Sequence, residues 1–570
     1  MTVLARTPSL EPPDPAAVAA LMRPPEEVMR LARLGAFHQT RLSFARTLVR
    51  RMGREHWRFS VPVQDLDADG YGTLVYRIDT PAGPLSFVAF SGPLAPHERT
   101  DRVIAEKWDT SFALVAGPVD GADIARLQQA VPLQEAGRFT AAEIVLSRAN
   151  RSLRIFEHVV DCLSQGRQPE LARLVEIGYL LRTTAVYGNG KFGIADLERV
   201  RRHGVFTLPY QAEMLTVYLA RQFGFDLAEH IARSRNPAAA SLDAASRRAL
   251  GVGNATGLGM APYLVGHPKL LNAWVTARET ALARVRAVDA LDDSRLRRFG
   301  RLFDRAGDFL RQWRTDDPRQ QERIETMKRE LEELRPLLGA LPPRRPWDHL
   351  FRATGKAHAE TQEMVASLLI ELYPELVDDL ENETGADEAE ATRPAMTLAD
   401  LKSLIEKRYG WAIAQRYDAD AARHFFWYRS AEKDEPRLGE RFREAGADLE
   451  LPMGIGLFVS ELYETVAVRA DAAPDEPVGL FLLAEPRWRG IVRRVQDLAA
   501  LPYAEIRENL LGETCLPIDL LRYKLAIFGA SKFDPKSDRW TRITLFQGAP
   551  LIEELERPDG DDWLFPAFLA

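Results

Sequence analysis

Trp57, Phe59, Val61 and Val63 occupy every second position, and beyond the turn-rich stretch 65–72 the alternation resumes at Leu74, Tyr76 and Ile78. A period of two is the mark of a strand with one apolar face. A second turn at 80–84 leads into the apolar run 85–90. Three strands joined by short turns predict an antiparallel meander. A helix is expected ahead of it over 26–52, where Val28, Leu31, Leu34, Phe37, Phe44 and Leu48 fall near helical spacing. The stretch 101–117 fits helix and strand alike. Residues 30–145 therefore read as an α+β domain behind a Pro-rich arm, 1–29.

The next two hundred positions carry a different pattern, read as helical from Phe139 to Leu338. Leu296, Phe299, Leu302, Phe303, Ala306, Phe309, Leu310 and Trp313 form one stripe. After Pro318, the residues Ile324, Met327, Leu331, Leu334 and Leu338 repeat at spacings of three and four. The two stripes predict an antiparallel helical hairpin over 296–338, able to pack inside the chain or against a second copy. A helical domain is drawn over 146–340. A helical segment with a flexible acidic loop follows over 341–396, because 381–394 is acidic and poor in large apolar groups. The region 397–570 reads as mixed: helices over 398–417, 491–498 and 517–527, strands over 478–484 and 541–546. The fold class expected is mainly α with α+β parts: an N-terminal antiparallel meander plus helix, a large central helical domain and a mixed C-terminal region.

Composition narrows the function only by exclusion. The 570 residues carry a formal net charge of −7, without the basic excess of a nucleic-acid binder. Two cysteines rule out a disulfide framework and a Cys-rich metal site, and they suit a reducing cytoplasm. The longest apolar runs are far short of the roughly 20 residues of a membrane helix, and no signal-peptide pattern opens the sequence. A cytoplasmic bacterial protein is expected, with no membrane and no nucleic acid among its partners.

Familiar catalytic motifs are missing: no phosphate-binding P-loop, no nucleophile elbow and no His-Glu-x-x-His. The run Asp65, Asp67, Asp69, Gly70 opens like a calcium loop, but Tyr76 stands where a bidentate Glu is needed, and a hairpin turn accounts for it. No metal ligands are assigned, and no cofactor is named.

Two glycine-rich stretches remain. The first, 251–259, holds Gly253, Asn254, Thr256 and Gly257 and is read as a loop ahead of a helix that begins near Pro262, with a second helix following His267 and Pro268. Bare backbone at a helix start offers N–H donors to an anion. The second, 182–193, holds Arg182, Tyr187, Asn189, Gly190 and Lys191. A lysine on a glycine-rich turn reaches a carboxylate or phosphate as a compact charge. The function expected is a soluble enzyme that binds a small anionic metabolite between these loops. Lys191, Tyr187 and His267 are the candidate catalytic groups, and Arg182, Asn189, Gly190, Gly253, Asn254, Thr256 and Gly257 the candidate contacts. The alternative is a non-enzymatic helical adaptor that oligomerises through the 296–338 hairpin.

Overall fold

A computed structural model of the chain describes residues 13–99, 107–130, 140–183, 200–256, 267–385, 392–415, 417, 426–428, 437–438, 448–449, 451–507, 516, 518–535, 541–557, 561 and 563. Its strands are β1 (Arg58–Leu66), β2 (Gly72–Thr80), β3 (Gly83–Ser91), β4 (Thr110–Ala116), β5 (Glu143–Arg151), β6 (Tyr179–Thr183), β7 (Gly251–Thr256), β8 (Phe426–Tyr428), β9 (Arg437–Leu438), β10 (Asp448–Leu449), β11 (Ala530–Pro535) and β12 (Thr541–Leu545). The chain divides into two compact units. One comprises Met1–Phe37, Leu258–Leu291 and Gly339–Lys524, and the other His38–Gly257, Asp292–Leu338 and Leu525–Ala570.

The second unit is built on a nine-stranded sheet in the order β1-β2-β3-β4-β5-β6-β7-β12-β11. Its first three strands are the meander read from the alternating residues. Asp67 closes the β1–β2 turn by accepting the amides of Asp69 and Tyr71 at 2.9 Å each, and Gly70 takes the positive φ of 76°. All neighbours run antiparallel except β6 and β7, which are parallel. Across one face lies the 25-residue helix Gln211–Arg235. Its Phe223 meets Phe112 edge-on at 5.6 Å, and Phe112 stacks on Phe87 at 5.3 Å. Val75, Val88, Phe90, Ala113, Val115, Leu127 and Leu146 form a second buried cluster in this unit.

One arginine ties the helix to the end of the sheet. Buried Arg221 gives hydrogen bonds to the carbonyls of Leu250, Ala549 and Pro550 at 2.7, 3.0 and 3.2 Å. Burial pushes its pKa down to about 10. The predicted hairpin is present as helices Asp293–Gln312 and Pro318–Leu334. Phe299, Leu302, Phe303, Phe309 and Leu310 are buried on the first, and Ile324, Met327, Leu331 and Leu334 on the second.

The first unit is mostly helical, with a three-stranded sheet in the order β10-β8-β9. Its core holds a closed set of charges. Arg23 binds Glu279 through Nε and Nη2 at 2.8 and 2.7 Å and Glu363 through Nη1 at 2.5 Å. Arg278 bridges the same two acids at 3.1 and 2.8 Å, with its guanidinium 3.9 Å from the Phe37 ring centroid. All four residues are buried.

The structure corrects several expectations. The region 146–340 is not all helix: β6, β7 and most of β5 lie within it. Residues of the expected helix 26–52 form Pro25–Val28, Leu31–Leu34 and Phe44–Arg54 instead of one rod. Val478–Ala484 is a helix, because a seven-residue apolar run without alternation fits either state. No helix among the described residues is long and apolar enough to cross a membrane.

Candidate functional site

The two glycine-rich stretches of the sequence begin side by side. In the parallel pair β6–β7, Arg182 stands in register with Gly253. Asn254 lies opposite Ile543 of β12, and Thr256 opposite Thr541. Arg182 is buried, flanked on its other side by Asn150 of β5. Gly253, Asn254 and Thr256 are therefore strand residues and not parts of a loop, which corrects the reading of 251–256. Tyr187, Asn189, Gly190, Lys191 and Gly257 lie outside the described residues. His267 precedes the helix Pro268–Arg286 and belongs to the first unit, while Arg182, Gly253, Asn254 and Thr256 belong to the second.

Packing explains two of the glycines. A Cβ on Gly253 would lie 2.5 Å from the Tyr179 ring, and one on Gly251 would lie 2.1 Å from the carbonyl oxygen of Leu545. Glycine inside a strand marks such close approaches. The bare face of Gly253 is thus covered by an aromatic ring of the protein itself. Gly253→Val is expected to destabilise the fold by about 1–3 kcal/mol through overpacking. Chemical denaturation measures this, and an unchanged midpoint would show that Tyr179 is free to move aside.

A cavity of about 500 Å³ lies in the first unit. Three pieces of chain line it: residues 25–26, residues 407–411, and residues 498–507 at and beyond the end of the helix Arg489–Leu498. The helix Leu398–Arg408 starts on Thr397, whose hydroxyl accepts the Asp400 amide at 3.1 Å. Its last turn brings two cations, Lys407 and Arg408, to the wall. Cations suit a helix C-terminus, where the backbone dipole is negative. Both are exposed, and neither makes a hydrogen bond or ion pair among the described residues.

Tyr409 then turns inward and is buried, Gly410 leaves open space, and Trp411 stands half-buried 6.1 Å from the Tyr409 ring. Glu505 is held at the wall by Arg494, whose Nε and Nη2 reach its two oxygens at 2.8 and 2.7 Å. The Tyr409 hydroxyl donates to the same carboxylate at 3.3 Å. Burial first, and then the charge of Glu505, push the Tyr409 hydroxyl well above its ordinary pKa, so it remains a donor. Arg507 pairs with Glu26 and gives its amide to the Met29 carbonyl at 2.7 Å. The wall thus combines cations, flat rings and two carboxylates, Glu505 held by Arg494 and Glu26 paired with Arg507.

Sequence reasoning passed over this set. The usable signal was the run Lys407-Arg408-Tyr409-Gly410-Trp411, two cations ahead of an aromatic–glycine–aromatic triplet. Two other aromatic runs lie at 423–429 and 487–489. In the second, Trp488 is buried, with Arg487 4.6 Å from its ring centroid and 3.3 Å from Glu485. In the first, Phe426–Tyr428 forms β8, and the remaining positions lie outside the described residues. No protein-family model, curated protein or solved structure matches this chain at a significant level.

Proposed function

We propose that the protein binds a small anionic molecule bearing a flat ring in the cavity of the first unit. The observation that carries this reading is the pair of unpartnered cations, Lys407 and Arg408, beside Trp411 on the wall of a 500 Å³ cavity. Small-molecule sites span roughly 300–1,000 Å³ and set a few polar groups in an aromatic or apolar wall. Lys407 and Arg408 pair with the anionic group, and Arg507 is the third cation in reach of the cavity. Trp411 offers a face to the ring, and Glu505 accepts a hydrogen bond from a ligand donor. Binding is the activity proposed; the lining assigns no reaction.

The test is a titration with anilinonaphthalene sulfonate, an aromatic anion whose fluorescence reports a dry site, with benzoate and inorganic phosphate as competitors. Lys407→Ala and Arg408→Ala are expected to leave stability within about 0.5 kcal/mol, as exposed substitutions do. Each is expected to weaken binding by about 1.5–3 kcal/mol, the size of a charge-assisted contact. Trp411→Ala should cost about 0.5–1.5 kcal/mol beyond lost area. Competition by phosphate alone would remove the ring from the proposal, and binding untouched by all three variants would remove the cavity.

The carboxyl ends of β6 and β7 are a second anion site worth testing, on one specific observation. Their parallel register sets Arg182 beside Gly253, so both glycine-rich stretches leave the sheet at the same end. Ligands of open sheets gather outside the carboxyl ends of parallel strands. Lys191→Ala tests this reading separately, in the glycine-rich stretch that follows β6 in the sequence.

A further inference from the structure

In the second unit, the ladder Gly72–Ser91–Thr110–Ala149 brings the start of β2, the end of β3, the start of β4 and the end of β5 together. At that end Arg151 is only 6% exposed. Its guanidinium carbon lies 5.4 Å from the Tyr71 ring centroid and 5.1 Å from that of Phe156. It gives one side-chain hydrogen bond, from Nη2 to the Ser91 hydroxyl at 3.0 Å. Its Nε is buried without a hydrogen-bond partner, and its guanidinium makes no ion pair among the described residues.

The nearby carboxylate is engaged elsewhere. Asp109 accepts Arg99 Nε at 2.8 Å and the Arg151 backbone amide at 3.1 Å. Glu157, in the first turn of the following helix, pairs with Arg235 at 3.0 Å. A buried cation that lacks a hydrogen-bonded counter-charge costs several kcal/mol. Burial pushes Arg151 below its ordinary pKa despite Asp109.

We infer that Arg151, flanked by Tyr71 and Phe156 and seated on Ser91, is an anion-binding site for a small carboxylate. Asp109 is taken up by the Arg99 guanidinium and the Arg151 backbone amide, so the Arg151 guanidinium has no carboxylate of its own among the described residues, which leaves room for a single negative charge. A planar monoanion matches the fork of a guanidinium, and its second oxygen reaches the orphaned Nε. The rings on either side hold the guanidinium in place and exclude water from the contact.

Fluorine NMR with trifluoroacetate as the probe and acetate as competitor tests this on the full chain. Saturable broadening displaced by acetate is expected for the native protein. Arg151→Met should weaken it about tenfold or more, the loss expected for a charge-assisted contact. The same variant should melt no lower than the native protein in chloride, because it removes a costly buried cation. Acetate at constant ionic strength should raise the melting temperature of the native protein but not of Arg151→Met. Should Arg151→Met fail to fold, Ser91→Ala serves in its place and should weaken the probe while leaving the helix content unchanged. Arg77→Ala, an exposed arginine toward the other end of β2, should leave the signal unchanged; an equal loss of signal there would make the binding a general effect of surface charge and overturn the inference. So would equal binding in Arg151→Met and native protein, a native protein with no saturable signal, or displacement by inorganic phosphate in preference to acetate.

Discussion

Glu363→Ala should cost the fold about 3–5 kcal/mol, the range for removing one partner of a buried ion pair. The Glu363 carboxylate receives Arg23, Arg278 and Arg33 at 2.5, 2.8 and 3.2 Å, and it is fully buried. Its loss leaves Arg278 with Glu279, and Arg23 with Glu279 and, at 3.8 Å, Glu27. Burial by itself raises the Glu363 pKa, but the charges of Arg23, Arg278 and Arg33 outweigh it and hold the value down at about 2. A depressed carboxyl gives stability that is present above its unfolded value of roughly 4.3 and is lost as pH falls toward the folded value. Urea midpoints recorded from pH 6 down to pH 2 should therefore fall below about pH 4 in the native protein, and that part of the slope should shrink in Glu363→Gln. A Glu363→Ala protein with the native midpoint would show that the charge set contributes nothing net.

Such a charge set is invisible in the sequence for a plain reason: Arg23, Arg278 and Glu363 come from three distant stretches, and each looks like one more solvated charge. The cavity is hidden in the same way, because three separate pieces of chain contribute its wall. The meander was legible because turn residues separate its strands and the edge strand β1 still alternates, with Phe59 and Val63 half-buried between exposed neighbours, although β2 is buried from Thr73 to Tyr76 and β3 from Leu85 to Ser91. Toward the middle of the sheet that signal disappears. Tyr179–Thr183 is buried at every position, so β6 shows no alternation. β7, Gly-Val-Gly-Asn-Ala-Thr, has almost no large side chains, because Tyr179 and Leu545 press on it. Its glycines were read as room for a ligand when they are room for the protein. The hairpin stripes of 296–338 were legible because they are amphipathic, with one apolar side buried and the other charged.

The C-terminal stretch should depend on one residue in the same measure. Asp561 gathers three arginines: Arg41 Nη2 at 2.7 Å, Arg46 Nε at 3.0 Å and Arg50 Nη1 at 3.6 Å. Arg46 and Arg50 are one helical turn apart on the helix Phe44–Arg54, so they present to the same side. Arg50 also donates to the Arg41 carbonyl at 2.8 Å, which fixes the approach to that helix. Two positions on, buried Trp563 stacks on Phe546, with ring centroids 5.9 Å apart. Burial pushes the Asp561 carboxyl up, but Arg46, Arg50 and Arg41 together carry it far below the ordinary carboxylate range. Asp561→Ala leaves those guanidiniums without this carboxylate, at an expected cost of about 3–5 kcal/mol. Asp561→Asn, which keeps the shape and removes the charge, should lose most of the same amount. The sign follows from the depressed pKa: this contribution is present above the unfolded value of roughly 3.9 and fades as pH falls below it. Native protein and Asp561→Asn should thus differ strongly near neutral pH and converge in acid. Limited proteolysis adds a local readout, because an unanchored segment opens without the rest of the unit. Cleavage near the C-terminus should accelerate in Asp561→Asn at pH 7 and approach the native rate only when the native carboxylate is protonated. Equal cleavage and equal midpoints at pH 7 would show that Trp563 alone holds the segment in place.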